Sequence, residues 1–117
     1  MVLHFTIDEN NDPLSIQLGG RLTLGPQLLQ FGRRVAEILA RRSACGVLLD
    51  MGGVEEIDSA GLGELVILYT TASDYGCRLC LVGTTPRLAQ LLETTKLSGI
   101  LPCFDDLPAA RSWVKSA

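Results

Sequence analysis

The sequence predicts an α/β fold in a single domain. Its 117 residues suffice for one domain and not for two, because domains usually contain about 100–200 residues. Apolar residues make up 47% of the chain and charged residues 20%, proportions typical of a globular protein with a buried core. Segments with strand-like and helix-like periodicity alternate in the order ββαβαβαβα. We therefore expect one domain over residues 1–117, in which helices join parallel strands.

The first part of the chain predicts a β-hairpin followed by a helix. Val2–Ile7 and Leu14–Leu18 alternate apolar and polar residues, and the segment between them is rich in turn-forming residues. Pro26 is typical of the first turn of a helix. Apolar residues then recur with helical spacing and form one face of this helix, which comprises Leu28, Phe31, Val35, Ile38 and Leu39.

The middle of the chain predicts a buried strand, a loop and a second helix. Gly46–Asp50 is a short apolar run, as expected for a strand covered on both faces. We interpret Met51–Ile57 as a loop. The second helix is expected to begin near Asp58 and to end near Gly76, because glycine favours the position just after a helix. Its predicted apolar face comprises Leu62, Leu65, Val66 and Tyr69.

The last part of the chain predicts two more strands and two more helices. Arg78–Val82 resembles another buried strand, and Thr85 followed by Pro86 predicts an N-cap and the first residue of a third helix. A short extended segment around Leu101–Phe104 and a last helix from about Asp106 complete the chain. The predicted apolar faces comprise Leu88, Leu91, Leu92 and Thr95 in the third helix, and Ala110, Trp113 and Val114 in the last.

The composition argues against several classes of function. The net charge of −3 and the lack of a basic stripe argue against direct nucleic-acid binding. Apolar stretches are far shorter than the ~20 residues needed to cross a bilayer, which argues against membrane insertion. The N-terminal residues lack a basic region followed by a sustained apolar run, so we expect no signal peptide and a cytoplasmic protein.

The four cysteines are Cys45, Cys77, Cys80 and Cys103. Cys77 and Cys80 have the spacing of some metal and redox motifs, but side chains three positions apart in a strand point to opposite faces. A second pair or a nearby histidine that would complete a metal site is missing. We therefore expect reduced thiols buried in the core, and neither a zinc site nor a redox role.

The segment Asp58–Gly63, with the sequence DSAGLG, is the strongest candidate functional site. It follows a buried strand, and ligands of open α/β sheets bind near the carboxyl ends of strands. Glycine in a helix disfavours folding by about 0.8–1.0 kcal/mol relative to alanine, so Gly61 and Gly63 suggest close approach of another backbone. Two interpretations stay open at this point. The glycines serve internal packing behind a helix cap, or they and Leu62 receive a partner while Ser59 is placed for modification.

The chain lacks the residue patterns of common catalytic sites. A serine nucleophile requires a base, and the one histidine, His4, lies in the first predicted strand. The G-x-S-x-G motif and the glycine-rich phosphate-binding loops are absent from the sequence. We therefore expect no enzymatic activity, no cofactor and no metal ion. One cluster of acidic residues could suggest a magnesium site, but we expect these side chains to be solvated at the protein surface. The cluster comprises Asp50, Glu55, Glu56, Asp58 and Glu64.

The sequence VLLDMGGVEEIDSAGLG at Val47–Gly63 resembles the signature of STAS domains, and in particular that of bacterial anti-sigma factor antagonists. Gly20–Gly25 and Leu88–Leu101 also fit the pattern, so the resemblance extends over nearly the whole chain. It implies a mixed β-sheet with helices packed against it. It also implies that the protein is a binding switch and not an enzyme.

In the family that this sequence resembles, an anti-sigma factor that is itself a serine kinase phosphorylates the serine of the motif. The resemblance implies Ser59 as the phosphoacceptor, with Asp58 fitting the pattern and Ala60 replacing a second serine found in many members. It implies that the unmodified form binds the anti-sigma factor and frees the sigma factor. Phosphorylation then ends binding, and a PP2C-type phosphatase reverses it. We expect the partner-binding residues to be Asp58, Ser59, Gly61, Leu62 and Gly63.

Two other functions stay open from the sequence. The first is a STAS subunit that binds without switching, in a phospholipid ABC transporter or in a stress-signalling assembly. The second is a nucleotide-hydrolysing enzyme, which the missing phosphate-binding motifs disfavour. An enzyme of this kind predicts turnover that the substitution Ser59→Ala abolishes.

Overall fold

The structure is a computed structural model that describes residues 2–10, 12–41 and 46–115. Within these residues the strands and helices follow the predicted order ββαβαβαβα, which confirms that prediction. A short 3₁₀ turn at Leu97–Gly99 follows the third helix. The other elements are β1 (His4–Asp8), β2 (Leu14–Leu22), α1 (Pro26–Arg41), β3 (Gly46–Ile57), α2 (Ser59–Asp74), β4 (Arg78–Val82), α3 (Pro86–Thr94), β5 (Cys103–Phe104) and α4 (Leu107–Lys115).

The strands form a mixed sheet in the order β1-β2-β3-β4-β5, which confirms the fold class expected from the sequence. β1 and β2 are antiparallel and form the predicted hairpin. From β2 onward the neighbouring strands are parallel, and a helix connects each strand to the next. At the carboxyl ends of β2 and β3, Leu22 is paired with Ile57, which lies two residues before α2.

Helices cover both faces of this sheet. α1, α2 and α3 contribute to the larger core on one face, whereas α4 packs on the other face over β3 and β4. Along β3, Val47 and Leu49 belong to the larger core, and Leu48 belongs to the smaller core under α4. The prediction of a strand covered on both faces is confirmed for this part of the chain.

The predicted loop at Met51–Ile57 is wrong, because β3 continues through the whole segment. β4 ends at Val82, opposite Asp50, and the later residues of β3 pair with β2. This pairing contains register shifts, and a Cβ added to Gly53 would lie only 2.9 Å from the carbonyl oxygen of Leu18. The glycines of this segment therefore reflect close contact between strands, and its exposed glutamates reflect a side that faces the solvent. The same residue types are typical of loops, which explains the wrong prediction.

The buried faces of the helices agree largely with the sequence pattern. Every residue predicted for the apolar face of α1 is buried. The buried face of α2 is displaced from the predicted one, because Val66 and Tyr69 are only half-buried whereas Leu68 and Ala72 are buried. Thr95, predicted on the face of α3, is exposed. Buried positions in the last three helices include Leu62, Leu65, Leu68 and Ala72 in α2, Leu88 and Leu92 in α3, and Ala110 and Val114 in α4.

None of the helices in the described part of the chain is long and apolar enough to span a membrane.

Candidate functional site

Asp58 caps the N-terminus of α2. Its backbone is extended, and its Oδ1 accepts a hydrogen bond of 2.8 Å from the backbone N–H of Gly61. A cap of this kind satisfies an N–H group that has no partner within the first turn of the helix. The sequence predicts a cap at this helix start without assigning it to one residue, and the structure assigns that role to Asp58.

The second oxygen of Asp58 binds a different segment of the chain. Oδ2 accepts a hydrogen bond of 3.0 Å from the backbone N–H of Leu24, in the connection between β2 and α1. The hydrogen bonds from Leu24 and Gly61 lower the pKa of Asp58 because they favour the charged carboxylate. Leu24 was not identified from the sequence, since 34 positions separate it from Asp58 and no motif links them.

Ser59 is the first residue of α2 and is exposed. Because Asp58 provides the cap, the fold does not depend on the Ser59 hydroxyl at this helix end. The positive end of the helix dipole favours negative charge at this position. The geometry therefore presents the Ser59 hydroxyl to the solvent at the start of α2.

The next residues of the segment point in different directions. Gly61 is buried against β2, where an added Cβ would overlap the carbonyl oxygen of Leu22. Leu62 is buried in the larger core and only 6% exposed. Gly63 is exposed, and an added Cβ would meet no atom within 4 Å. The close approach expected at the glycines is thus internal at Gly61, whereas Gly63 leaves the outer face of the helix open.

The exposed side of α2 is free of charged side chains up to its last turn. Its exposed residues there are Ser59, Gly63, Ile67 and Thr70. Ile67 is 56% exposed, and Leu24 beside the helix start is 75% exposed. Helix faces that contact only water usually carry charges, so this composition favours a contact surface.

The acidic residues near α2 have separate structural roles. Asp50 Oδ1 accepts a hydrogen bond of 3.0 Å from the backbone N–H two residues later. Glu56 forms an ion pair of 3.4 Å with Arg21, and Glu64 lies against Gly32 of α1. Burial raises the pKa of Glu64. Within residues 2–10, 12–41 and 46–115, no group of three or more His, Cys, Asp or Glu residues could hold a metal ion.

The described cysteines differ in their surroundings. As predicted, Cys77 and Cys80 lie on opposite faces of the sheet, one in the larger core and one in the core under α4. Burial raises the pKa of Cys80 to about 12. The expectation of a buried thiol is wrong for Cys103, which is exposed because the two-residue strand β5 forms the edge of the sheet. Cys45 lies outside the described residues.

The motif around Ser59 lies within residues 5–110, which match the sequence model of the family described as STAS domain. The chain belongs to the STAS domain family. This match confirms the family resemblance identified in the sequence. A search of curated protein sequences found no match to this STAS domain.

Solved structures share the fold of this STAS domain. An anti-sigma factor antagonist from Mycobacterium paratuberculosis is 16% identical, with a TM-score of 0.81 over 98% of this chain and 96% of that chain. The anti-sigma factor antagonist SpoIIAA, solved in its unphosphorylated form, is 14% identical, with a TM-score of 0.75 over 91% and 92% of the two chains. The murine anion transporter Slc26a9 is 16% identical, with a TM-score of 0.75 over 92% of this chain and 18% of that chain. The same fold thus occurs in antagonists and in a part of a transporter.

Proposed function

We propose that this STAS domain, spanning residues 1–117, is an anti-sigma factor antagonist that phosphorylation of Ser59 switches off. The observation that carries this proposal is that Asp58 caps α2 and leaves the Ser59 hydroxyl exposed. The unmodified form binds the anti-sigma factor and thereby releases a sigma factor for transcription. The similarity to solved antagonists supports this choice among the functions of STAS domains.

Charge explains how a phosphate on Ser59 switches binding. Phosphorylation adds about −1.5 to −2 charges. Asp58, whose pKa is lowered by its backbone hydrogen bonds, is already negative beside it at neutral pH. In the free chain the positive end of α2 accommodates the added charge. In a complex, the phosphate on Ser59 would lose its bound water at a contact surface that offers no positively charged side chain in return. This cost favours release of the partner.

The five residues of the predicted binding segment divide between contact and support. Ser59 and Gly63 are exposed and would touch the partner directly. Gly61 and Leu62 would support the contact surface without touching the partner, because they pack α2 against β2 and the core. Asp58 would orient the segment for the kinase through its two backbone hydrogen bonds.

The partners follow from the proposed switch. An anti-sigma factor with serine kinase activity would transfer the terminal phosphoryl group of ATP to the Ser59 oxygen, which loses its proton. A PP2C-type phosphatase would hydrolyse the phosphoserine and restore the binding form. This STAS domain would itself catalyse no reaction, need no cofactor and act in the bacterial cytoplasm.

A second candidate is a STAS subunit that binds constitutively, in a phospholipid transporter or in a stress-signalling assembly. The observation that favours it is the similarity to a part of the anion transporter Slc26a9. In this function Ser59 would contact the partner without being modified.

A pull-down from the native cells with quantitative mass spectrometry separates the two candidates. The baits are the wild type, Ser59→Ala, Ser59→Asp and, as a charge control on the same helix, Ser73→Asp, which also changes an exposed serine. The switch predicts a serine kinase that is recovered with every bait except Ser59→Asp. Recovery of a transporter subunit with all four baits would contradict the switch and support the constitutive subunit.

A further inference from the structure

β1 forms one edge of the sheet, and within the described residues it pairs with β2 alone. All five of its residues pair with β2 without a register shift, so the strand is regular from His4 to Asp8. An edge strand presents unpaired N–H and C=O groups that can bind another strand. Proteins commonly protect such an edge with lysine, proline or a bulge, and β1 contains none of these.

The two sides of β1 differ in chemistry. Phe5 and Ile7 are half-buried and pack against the larger core. His4, Thr6 and Asp8 are exposed on the opposite side, the one on which α4 packs over β3 and β4. A strand added at this edge would therefore cover more of the two apolar side chains and extend the row of polar ones.

The sequence of β1, HFTID, is complementary to a second copy of itself. In an antiparallel pair centred on Thr6, His4 lies opposite Asp8 of the second copy, and Phe5 lies opposite Ile7. Twofold symmetry makes each of these contacts twice. Polar and apolar cross-strand pairs of this kind stabilise antiparallel strands. A shift of one residue would instead place His4 opposite Ile7, and a parallel pair in register would place two Asp8 side chains together.

The pair of His4 and Asp8 can form without a change in the fold. Imidazole donates a ring N–H to a carboxylate in its neutral form as well as in its protonated form. The His4 ring is exposed and lies over Gly19, so a change of rotamer can direct it towards a second copy. Asp8 Oδ1 accepts a hydrogen bond of 3.1 Å from the N–H of Asn10, which holds the carboxylate at the end of the strand.

The charged groups beside β1 balance one another. On the side of α1, Glu9 forms ion pairs of 3.1 Å with Arg34 and 3.2 Å with Arg41. Together with Asp8, these described residues supply two carboxylates and two guanidinium groups. A second copy would therefore approach an edge without net charge, whereas an edge with an excess of one sign would repel its own copy.

We propose that two copies of this STAS domain pair through β1, antiparallel and centred on Thr6, to form a twofold symmetric dimer with one continuous sheet. This inference goes beyond the proposed function and does not rest on it. A strand of this length spans about 17 Å, so the interface is small. We expect weak association, with a dissociation constant on the order of micromolar or above.

Sedimentation velocity of the purified chain from about 1 µM to 1 mM tests the dimer, because weak interfaces associate in this range. The wild type should change from monomer to dimer. Thr6→Lys places two ammonium groups at the symmetry axis and should weaken association by about tenfold or more. Ser59→Asp should dimerise as the wild type does, because Ser59 belongs to α2. A monomer at every concentration would overturn the proposal and leave the proposed function intact.

Opposite changes of charge at His4 test the contact with Asp8. His4→Glu should weaken dimerisation by about tenfold, because two carboxylates then face each other at both ends of the interface, whereas His4→Lys should maintain or strengthen it. Gln90→Glu and Gln90→Lys make the same changes of net charge at an exposed position of α3 and serve as controls. Equal effects at positions 4 and 90 would contradict pairing through β1. Circular dichroism checks that each variant is folded.

Disulfide formation tests the register. In a chain whose Cys45 and Cys103 are replaced by serine, Thr6→Cys should give a covalent dimer on mild oxidation, because directly opposite residues have Cα atoms about 4.5–5.5 Å apart. His4→Cys is the matched control, since the two copies of this position lie about 13 Å apart along the strands. Crosslinking at position 4 in place of position 6 would overturn the proposed register.

Discussion

The Asp58 carboxylate and the Leu24 backbone are joined by a hydrogen bond of 3.0 Å, although 34 positions separate the two residues in the sequence. The other carboxylate oxygen of Asp58 caps α2 at Gly61. One side chain therefore fixes both the start of α2 and the connection from β2 to α1. The arrangement places Leu24 and Ser59 next to the same residue, so that the surroundings of the proposed phosphorylation site depend on Asp58.

The division of roles between Asp58 and Ser59 can be tested by measuring stability. Asp58→Ala should lower the free energy of unfolding by about 1 kcal/mol, because it removes the N-cap of α2. Ser59→Ala should change it by less than about 0.5 kcal/mol, because Ser59 is exposed and does not cap the helix. Equilibrium urea denaturation measures both values. Losses of equal size would show that Ser59 shares the capping role.

The contribution of Asp58 to stability should depend on pH. Hydrogen bonds from Leu24 and Gly61 lower its folded-state pKa below the ordinary value of 3.8. The folded chain therefore binds this proton less readily than the unfolded chain. The stabilisation is fully present above pH 3.8 and is lost as the pH falls through the lower folded-state pKa.

The variant Asp58→Asn isolates this contribution. Its amide oxygen can still cap the helix, but its NH₂ group cannot accept the hydrogen bond from Leu24. We expect the difference in unfolding free energy between this variant and the wild type to be largest near neutral pH and to shrink as the solution is acidified below pH 3.8. Urea denaturation over a pH series measures the difference. A difference that does not vary with pH would contradict the lowered pKa of Asp58.

Gly61 and Gly63 should respond in opposite ways to the same substitution. Gly61→Ala should lower the free energy of unfolding by about 1–3 kcal/mol, because its Cβ would overlap the backbone of Leu22. Gly63→Ala should raise it by up to about 1 kcal/mol, because alanine favours the helix and the added Cβ has open space. Thermal or urea denaturation of both variants measures the two effects. Destabilisation by Gly63→Ala would show a contact that the geometry does not contain.

Local patterns were sufficient to predict most of the fold. The spacing of apolar residues identified the buried face of α1, and the Thr85-Pro86 pair identified the start of α3. Both features depend on residues within a few turns of one another. The motif at Asp58–Gly63 also placed the start of α2 correctly, since capping and glycine content are local signals.

Features that depend on distant residues could not be predicted in the same way. The extension of β3 beyond Asp50 requires pairing with β2 across register shifts, and no local pattern indicates it. The contact of Gly61 with Leu22 and the exposure of Cys103 likewise follow from how strands and helices meet. The sequence therefore located the candidate site, whereas the structure was needed to distinguish its inward-facing from its outward-facing residues.

Thiol reactivity should separate the described cysteines by exposure. Cys103 is exposed, whereas Cys77 and Cys80 are buried. Burial raises the pKa of Cys80 to about 12, and partial burial and the nearby Asp105 raise the pKa of Cys103 as well. Because the reagent can reach only an exposed sulfur, iodoacetamide should modify Cys103 of the folded chain well before Cys77 or Cys80. Mass spectrometry of peptides after short labelling measures the order, with urea-unfolded chain as the control. Equal labelling of Cys80 and Cys103 in the folded chain would contradict this arrangement.

Glu64 should oppose folding at neutral pH. Its carboxylate lies against Gly32 of α1, and burial raises its folded-state pKa above the ordinary value of 4.5. The folded chain therefore binds this proton more readily than the unfolded chain, and stability falls as the pH rises from 4.5 through the folded-state pKa.

The neutral isostere Glu64→Gln should consequently be more stable than the wild type at neutral pH, and the gain should disappear as the pH is lowered below 4.5. Urea denaturation of both chains over this range measures the gain. A Glu64→Gln variant that is less stable than the wild type at neutral pH would show that the ionised carboxylate stabilises the contact between α1 and α2. In that case the packing of α2 beside Ser59 would depend on the Glu64 charge, and not only on the fit between Glu64 and Gly32.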